Sequence, residues 1–296
     1  MAIISVPLGG IDLRTTLKPL AFFPSDPTVS LTEARFVRST WTPEGPGAVV
    51  VDWDDDRAFV ETIGDGADFL IDRVPALLGL DDDVSTFDPS SHPLVSRLAR
   101  TFPGMRLTAS HTLWHDVAWL VPGQRVATDD AARQWASFAR RFGSSISGVD
   151  TVAPPSPADT ARLAYYELHP CGIERRRAES IIAAARAMHR IETLPLDSAT
   201  IRPALERIRG IGPWMSTHVA AMTCGDPDAV VLGDYGLPSY VAWALARERT
   251  ADDERMLDLL EPFRPHRWRV VRLIMTAGIA PPRHGPRRRN PRVDRL

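Results

Sequence analysis

The segment LERIRGIGPWMSTHVAAMTCGDPDAVVLGDYGLP, residues 205–238, concentrates the side chains able to do chemistry. Gly210, Ile211 and Gly212 make a Gly-x-Gly turn, Pro213 follows it, and Asp234 stands further on as a lone carboxylate. Glycine permits a sharp reversal and the close approach of another backbone. Proline is favoured at the first position of a helix, where its missing N–H costs nothing. The spacing therefore predicts helix, hairpin and helix, with free N–H groups pointing out of the turn. Such an end attracts phosphate without any charged side chain. Asp234 falls at the predicted start of the next helix, and two roles stay open for it. It is a favoured N-cap type, and it is also an anion able to stabilise positive charge in a reaction. Trp214 and His218 lie at i and i+4 on the second helix and share a face. Trp114, Trp119, Tyr235 and Trp268 are further aromatic candidates for a flat-ligand pocket, although for each of them a core role outweighs a pocket role.

Helices must position these groups, and beyond Pro103-Gly104 the pattern is helical. Thr128-Asp129-Asp130 opens a helix with Ala131, Trp135, Phe138 and Phe142 on its apolar face, closed by Gly143. Ser156-Pro157 begins another, reaching about His169. Glu174 to His189 forms a third, and Asp197 or Ser198 caps the helix entering the hairpin. Two more are predicted over Asp252–Phe263 and Arg267–Ala277. The stretch 149–156 reads as a linker ending in prolines. The first 100 or so residues mix β-prone runs, such as Ala48–Trp53, with turn signals such as Glu44–Gly47. There Asp68–Leu78 reads as a helix, and Trp53, Phe59 and Phe69 as core.

The 296 residues suffice for two domains, and no apolar run approaches the ~20 residues of a membrane span. The N-terminus has neither a basic region nor a long apolar core, so no signal peptide is expected and a cytoplasmic setting follows. Cys171 and Cys224 are too few for a four-cysteine iron–sulfur site, a zinc spacing or a disulfide framework. They read as reduced thiols. Net charge is −2, yet residues 1–100 hold 8 basic against 16 acidic residues, leaving 27 against 21 for the remainder. An acidic front and a basic back fit a chain that presents one face to phosphates, as does ordinary scatter between domains. Lys18 is the only lysine among the 35 basic residues.

Leu205, Gly210, Ile211, Gly212 and Trp214 match the pattern L-x-x-x-x-G-[IV]-G-x-[KW]-[TS]-A, with Met215 and Ser216 standing where Thr-Ala is usual. With Asp234 following, the run resembles the helix-hairpin-helix DNA glycosylase superfamily, and within it the AlkA-like 3-methyladenine DNA glycosylase II branch. Pro122–Val126 resembles that branch's Gln-x-Val wedge segment, and Cys171–Ala178 its helix junction. Thr15-Thr16-Leu17, Asp26-Pro27-Thr28 and Ala76–Gly79 are similar to its N-terminal segments. The likeness runs to about Gly285. It implies an α+β fold: a small N-terminal antiparallel sheet with helices over 1–105, then an all-α glycosylase region of two helical subdomains over 106–285. An Arg- and Pro-rich tail over 286–296 is expected to be flexible.

The resemblance implies a monofunctional DNA N-glycosylase of base-excision repair. It would act as a monomer on double-stranded DNA carrying a damaged base, in the cytoplasm at the nucleoid. Asp234 would be the catalytic carboxylate, opposing the positive charge that builds on the sugar as the base leaves. Trp214, His218, Tyr235 and Met275 would line the pocket for the flipped base. His218 stands where the branch places a tyrosine, and Met275 where it places a tryptophan. Gln124 and Arg125 would form the wedge, and Gly210, Ile211 and Gly212 would meet the DNA backbone. No cofactor is required, although the family likeness implies a structural Na+ or K+ held by the carbonyls of Glu206, Ile208 and Gly210. Bifunctional relatives carry a nucleophilic lysine where Trp214 stands, so lyase chemistry is disfavoured. Two readings stay open beside this one: a glycosylase of different base range, and a noncatalytic DNA-binding module.

Overall fold

Runs of β-branched residues bounded by turns build the sheet at the front of the chain. In the computed structural model, residues 2–282 are described, so the tail over 286–296 lies outside the described residues. The strands β1 (Ala2–Pro7), β2 (Val29–Leu31), β3 (Arg35–Thr42), β4 (Gly45–Trp53) and β5 (Arg57–Gly64) pair antiparallel in the order β1-β5-β4-β3-β2. β4 is covered on both faces. Val49 and Val51 enter the larger core, while Ala48 packs with Ile146 and Ala153 on the other side. On β5 the buried residues are Ala58, Val60 and Thr62. Phe59 has the opposite parity and is 47% exposed, which corrects its placement in the core. Trp53 and Phe69 are half-buried.

Short helices α1 (Leu13–Leu17), α2 (Ala67–Ile71), α3 (Val74–Leu77) and α4 (Pro93–Thr101) accompany the sheet. The single helix predicted over Asp68–Leu78 is thus two, and Pro75 sits in the first turn of the second. The helical part comprises α5 (Leu113–Leu120), α6 (Thr128–Phe142), α7 (Pro157–Thr160), α8 (Arg175–Ile191), α9 (Ser198–Glu206), α10 (Pro213–Thr223), α11 (Leu237–Ala246), α12 (Asp253–Leu260) and α13 (Arg267–Thr276). α6 stops at Gly143 as its sequence predicts, and Asp197 caps α9 through Thr200 N–H. α7 is shorter than expected. It ends at Thr160, and the chain continues as a 3-10 turn over Tyr165–Cys171 that contains Pro170. The stretch read as a linker holds β7 (Val152–Ala153), which pairs with β6 (Ser144–Ser145). Both cysteines are free thiols. No helix among the described residues is long and apolar enough to cross a membrane.

Two apolar clusters divide the helices. The larger joins the sheet to α5, α6, α8, α9 and α10, and the smaller packs α4 with α11, α12 and α13. Trp214 packs against both, so the first turn of α10 sits at their seam. Two buried ion pairs fix the elements around that seam. Asp116 on α5 accepts from Arg38 Nη2 on β3 at 2.7 Å and from Thr223 Oγ1 at the end of α10 at 2.6 Å. Asp82 accepts a bidentate pair from Arg269 on α13, at 2.6 and 2.8 Å. A bidentate guanidinium–carboxylate contact fixes orientation as well as distance, so α13 is held in a set rotation.

Candidate active site

The hairpin is built on one crowded glycine and one open one. Gly210 has φ +92°, and a Cβ there would lie 1.9 Å from Ser180 Oγ and 2.8 Å from Ser180 Cβ on α8. Only glycine fits both the left-handed backbone and the contact. Gly212 is extended, at φ −113° and ψ −176°, and a Cβ added to it would meet nothing within 4 Å. Its carbonyl accepts from the N–H groups of Met215 and Ser216, and Pro213 opens α10. The N–H groups of Gly212 and Trp214 have no acceptor among the described residues. They are the donors a helix start leaves for a ligand.

Ile211 does not share that surface. Its side chain is 4% exposed and its N–H bonds to Ile208 O at 3.0 Å, so it anchors the hairpin from inside and leaves only its backbone carbonyl to the surface contact expected of it. Gln124 donates to Gly210 O at 3.0 Å and approaches Met215 Sδ at 3.2 Å. That contact ties the Pro122–Val126 turn to the hairpin. Arg125, next to it, is exposed and holds a left-handed φ of +58°. A side chain rarely adopts this region, which costs about 1–2 kcal/mol. The carbonyls of Ile208 and Gly210 thus each accept one protein hydrogen bond, and each keeps a second lone pair for a cation.

Asp234 lies just before α11. Its Oδ1 accepts from the N–H groups of Gly236 and Leu237, both at 2.9 Å, and its Oδ2 accepts from Trp214 Nε1 at 3.2 Å. The carboxylate therefore caps the helix start with one oxygen and keeps most of the other for further contacts. Behind Trp214 the aromatic rings continue inward. Trp214 and His218 meet edge to face at 5.6 Å between centroids, and His218 meets Trp268 of α13 at 6.1 Å. Burial pushes the His218 imidazole down to about 4; the nearby Asp234 carboxylate opposes the fall and Arg272 adds to it. The imidazole is neutral at pH 7, and its buried Nδ1 has no hydrogen-bond partner.

The structure thus brings Asp234, Trp214 and His218 together beside the hairpin. Tyr235 is fully exposed, and Met275 is 40% exposed. Trp268 takes the inner position expected of them. Trp114 and Trp119 belong to the core, donating to Pro155 O at 2.8 Å and Asp26 Oδ2 at 3.2 Å.

No family model matches the chain. It is 26% identical over 208 residues to the DNA-3-methyladenine glycosylase of Bacillus subtilis (strain 168), across 65% of this chain and 69% of that protein. The 3-methyladenine DNA glycosylase from Archaeoglobus fulgidus has a similar structure, with a TM-score of 0.76 at 17% identity over 92% of this chain and 97% of that one. The fold is that of the helix-hairpin-helix DNA glycosylases, and the sequence likeness to the Bacillus protein supports the same superfamily. The fold extends to members of other activity. The 8-oxoguanine glycosylase/lyase of Clostridium acetobutylicum matches with a TM-score of 0.69 at 11% identity, over 93% of this chain and 96% of that one. Fold therefore does not separate monofunctional from lyase members, and the residues at the hairpin must do so.

Proposed function

We propose that this protein is a monofunctional DNA N-glycosylase of the AlkA-like branch, releasing alkylated bases of the 3-methyladenine type from double-stranded DNA in base-excision repair. The placement of Asp234 carries the reading. Its carboxylate is held by two backbone N–H groups and Trp214 Nε1, beside a helix start suited to phosphate. A noncatalytic DNA-binding module has no use for an anion there, because a carboxylate repels the DNA backbone.

The same arrangement supports a stepwise account. The hairpin N–H groups hold a phosphate, and Arg125, strained and exposed, enters the space left by the extruded nucleotide. The base then lies against Trp214 and His218. As the C1′–N bond breaks, its electron pair passes to the base and positive charge grows on the sugar. Asp234 opposes that charge and takes the proton that water sheds as its oxygen bonds to C1′. A base already made cationic by alkylation leaves as a neutral molecule and needs no acid. A monovalent cation, Na+ or K+, on the carbonyls of Glu206, Ile208 and Gly210 belongs to the same reading and would add positive charge beside the bound phosphate. The chain would work as a monomer in the cytoplasm.

Two measurements test it. Gly212→Val is expected to fold normally, since its Cβ meets open space, and to weaken binding to any duplex sequence by about tenfold or more by blocking phosphate approach to the helix start. Fluorescence anisotropy with unrelated duplexes checks this, and unchanged affinity in the folded variant removes the hairpin from the DNA interface. Borohydride is expected to trap no covalent protein–DNA complex during turnover. Trp214 offers no amine, and Lys18, the sole lysine, lies near the end of α1 in the N-terminal part. An efficient adduct at a side-chain amine would replace hydrolysis with lyase chemistry.

A further inference from the structure

The Pro122–Val126 turn between α5 and α6 is held from behind by a buried charge. Pro122 O accepts from Arg177 Nη1 on α8 at 2.6 Å, and the same nitrogen donates to Gln134 Oε1 on α6, also at 2.6 Å. Nε and Nη2 of Arg177 meet the carboxylate of Glu174, and the Arg177 side chain is 6% exposed. A guanidinium is planar and its donors point in fixed directions, so the acceptors around it fix one another's positions. Little else holds this turn. Val121 and Pro122 are buried, but no residue from Gly123 to Asp130 is. A Cβ at Gly123 would meet nothing within 4 Å. The second tie is Gln124, which donates to Gly210 O of the hairpin at 3.0 Å. Ser180, one turn along α8 from Arg177, packs against Gly210, so α8 carries both the turn and the hairpin. Arg125 follows the two ties directly, exposed and with its φ of +58°.

Resting on the glycosylase reading and on its use of Arg125 as the wedge, we propose that Arg177 is a positioning residue for base extrusion. It stiffens the Pro122–Val126 turn, so that Arg125 stays aimed into the duplex instead of yielding. Extruding a paired nucleotide costs unstacking and unpairing energy. A side chain that fills the gap offsets this cost only if it stays where the gap opens. The left-handed backbone at Arg125 is disfavoured for a residue with a Cβ, so a turn released from its ties relaxes out of that shape. Hydrogen bonds from a cation are stronger than those between neutral groups, and the one to Pro122 O lies out of water. Arg177 is buried behind the turn and donates to protein acceptors, so its effect on the reaction passes through Arg125. The hairpin and Asp234 keep their own contacts when it is removed. Its loss should therefore slow release of a paired base, and leave release of a base that is already unpaired nearly untouched.

The test compares single-turnover release of 7-methylguanine from two duplexes, one with the base opposite cytosine and one with it opposite an abasic-site analogue. The ratio of paired to unpaired rates is internal to each variant, so a loss of folded protein does not change it. Arg177→Met is expected to lower the ratio about tenfold, the range set by one hydrogen bond to a charged group. Arg125→Ala is expected to lower it by a similar factor. The double variant should fall no further, because residues that act through one another are not additive. Gln134→Ala removes a neighbouring partner of Arg177 but leaves the Pro122 contact, and is expected to keep the wild-type ratio. Arg177→Lys keeps the charge beside Glu174 without the fork, should fall between wild type and Arg177→Met, and carries the comparison if the methionine variant fails to fold. An unchanged ratio in Arg177→Met, or in Arg177→Lys where it alone folds, overturns the proposal. So does a Gln134→Ala ratio as low as that of Arg177→Met, or a double variant whose losses multiply. An unchanged ratio in Arg125→Ala overturns it too, and leaves the glycosylase reading intact. Release from neither duplex by the wild-type chain defeats both.

Discussion

Asp234→Asn is expected to lower single-turnover base release by about a hundredfold or more, while affinity for duplex DNA holds or rises slightly. The asparagine carbonyl still accepts from the N–H groups of Gly236 and Leu237, so the start of α11 keeps its cap. The amide that replaces Oδ2 cannot accept from Trp214 Nε1, which loses a 3.2 Å contact at the edge of the site. What disappears is the anion facing the sugar cation, a preorganised electrostatic contribution commonly worth ~3–4 kcal/mol. Loss of a negative charge near phosphates favours binding, so affinity and rate should move apart. Quench-flow release alongside anisotropy measures both. Near-wild-type release by the variant would reduce Asp234 to a cap.

Asp116→Ala is expected to be the most damaging substitution for stability outside the site. Asp116 is fully buried and binds Arg38, Thr223 and Ser110 from β3, the end of α10 and the preceding loop. Removing it leaves the Arg38 guanidinium buried and unpaired, a change that typically costs about 3–5 kcal/mol. Urea unfolding should show that loss as a lower midpoint. A second substitution, Arg38→Met in the Asp116→Ala background, should recover much of it, since an apolar pair lacks the uncompensated charge. A single-variant loss below about 1 kcal/mol would mean that solvent reaches the pair.

The hairpin, Asp234 and the Trp214–His218 face were legible because each is local. Turn residues, helix phase and capping type are written within a few positions of one another. The end of α6 at Gly143 and the start of α9 at Asp197 follow their sequence signals for the same reason. Phe59 was also decidable locally, because Arg57 and Glu61 share its parity on β5 and mark that face as outward. The 68–78 segment shows the limit of periodicity, where Pro75 breaks one apolar stripe into two helices. Arg38–Asp116 and Asp82–Arg269 lay beyond reach. Their partners are 78 and 187 residues apart, and nothing in either local pattern distinguishes a buried charge from an exposed one. Tyr235 is adjacent to Asp234, but Asp234 turns inward to the start of α11 and the neighbouring side chain faces solvent, a difference no local pattern marks. The aromatic position was filled instead by Trp268, carried in by α13 from far along the chain.

Release of free base from a duplex carrying one 7-methylguanine, followed by chromatography with and without alkali, tests the glycosylase reading most directly. The wild-type chain is expected to liberate the base while the strand stays whole, and alkali should then cleave at the abasic site. No free base from this duplex, under conditions where the protein binds it, would contradict the assignment of Asp234 to catalysis and leave a DNA-binding module in its place.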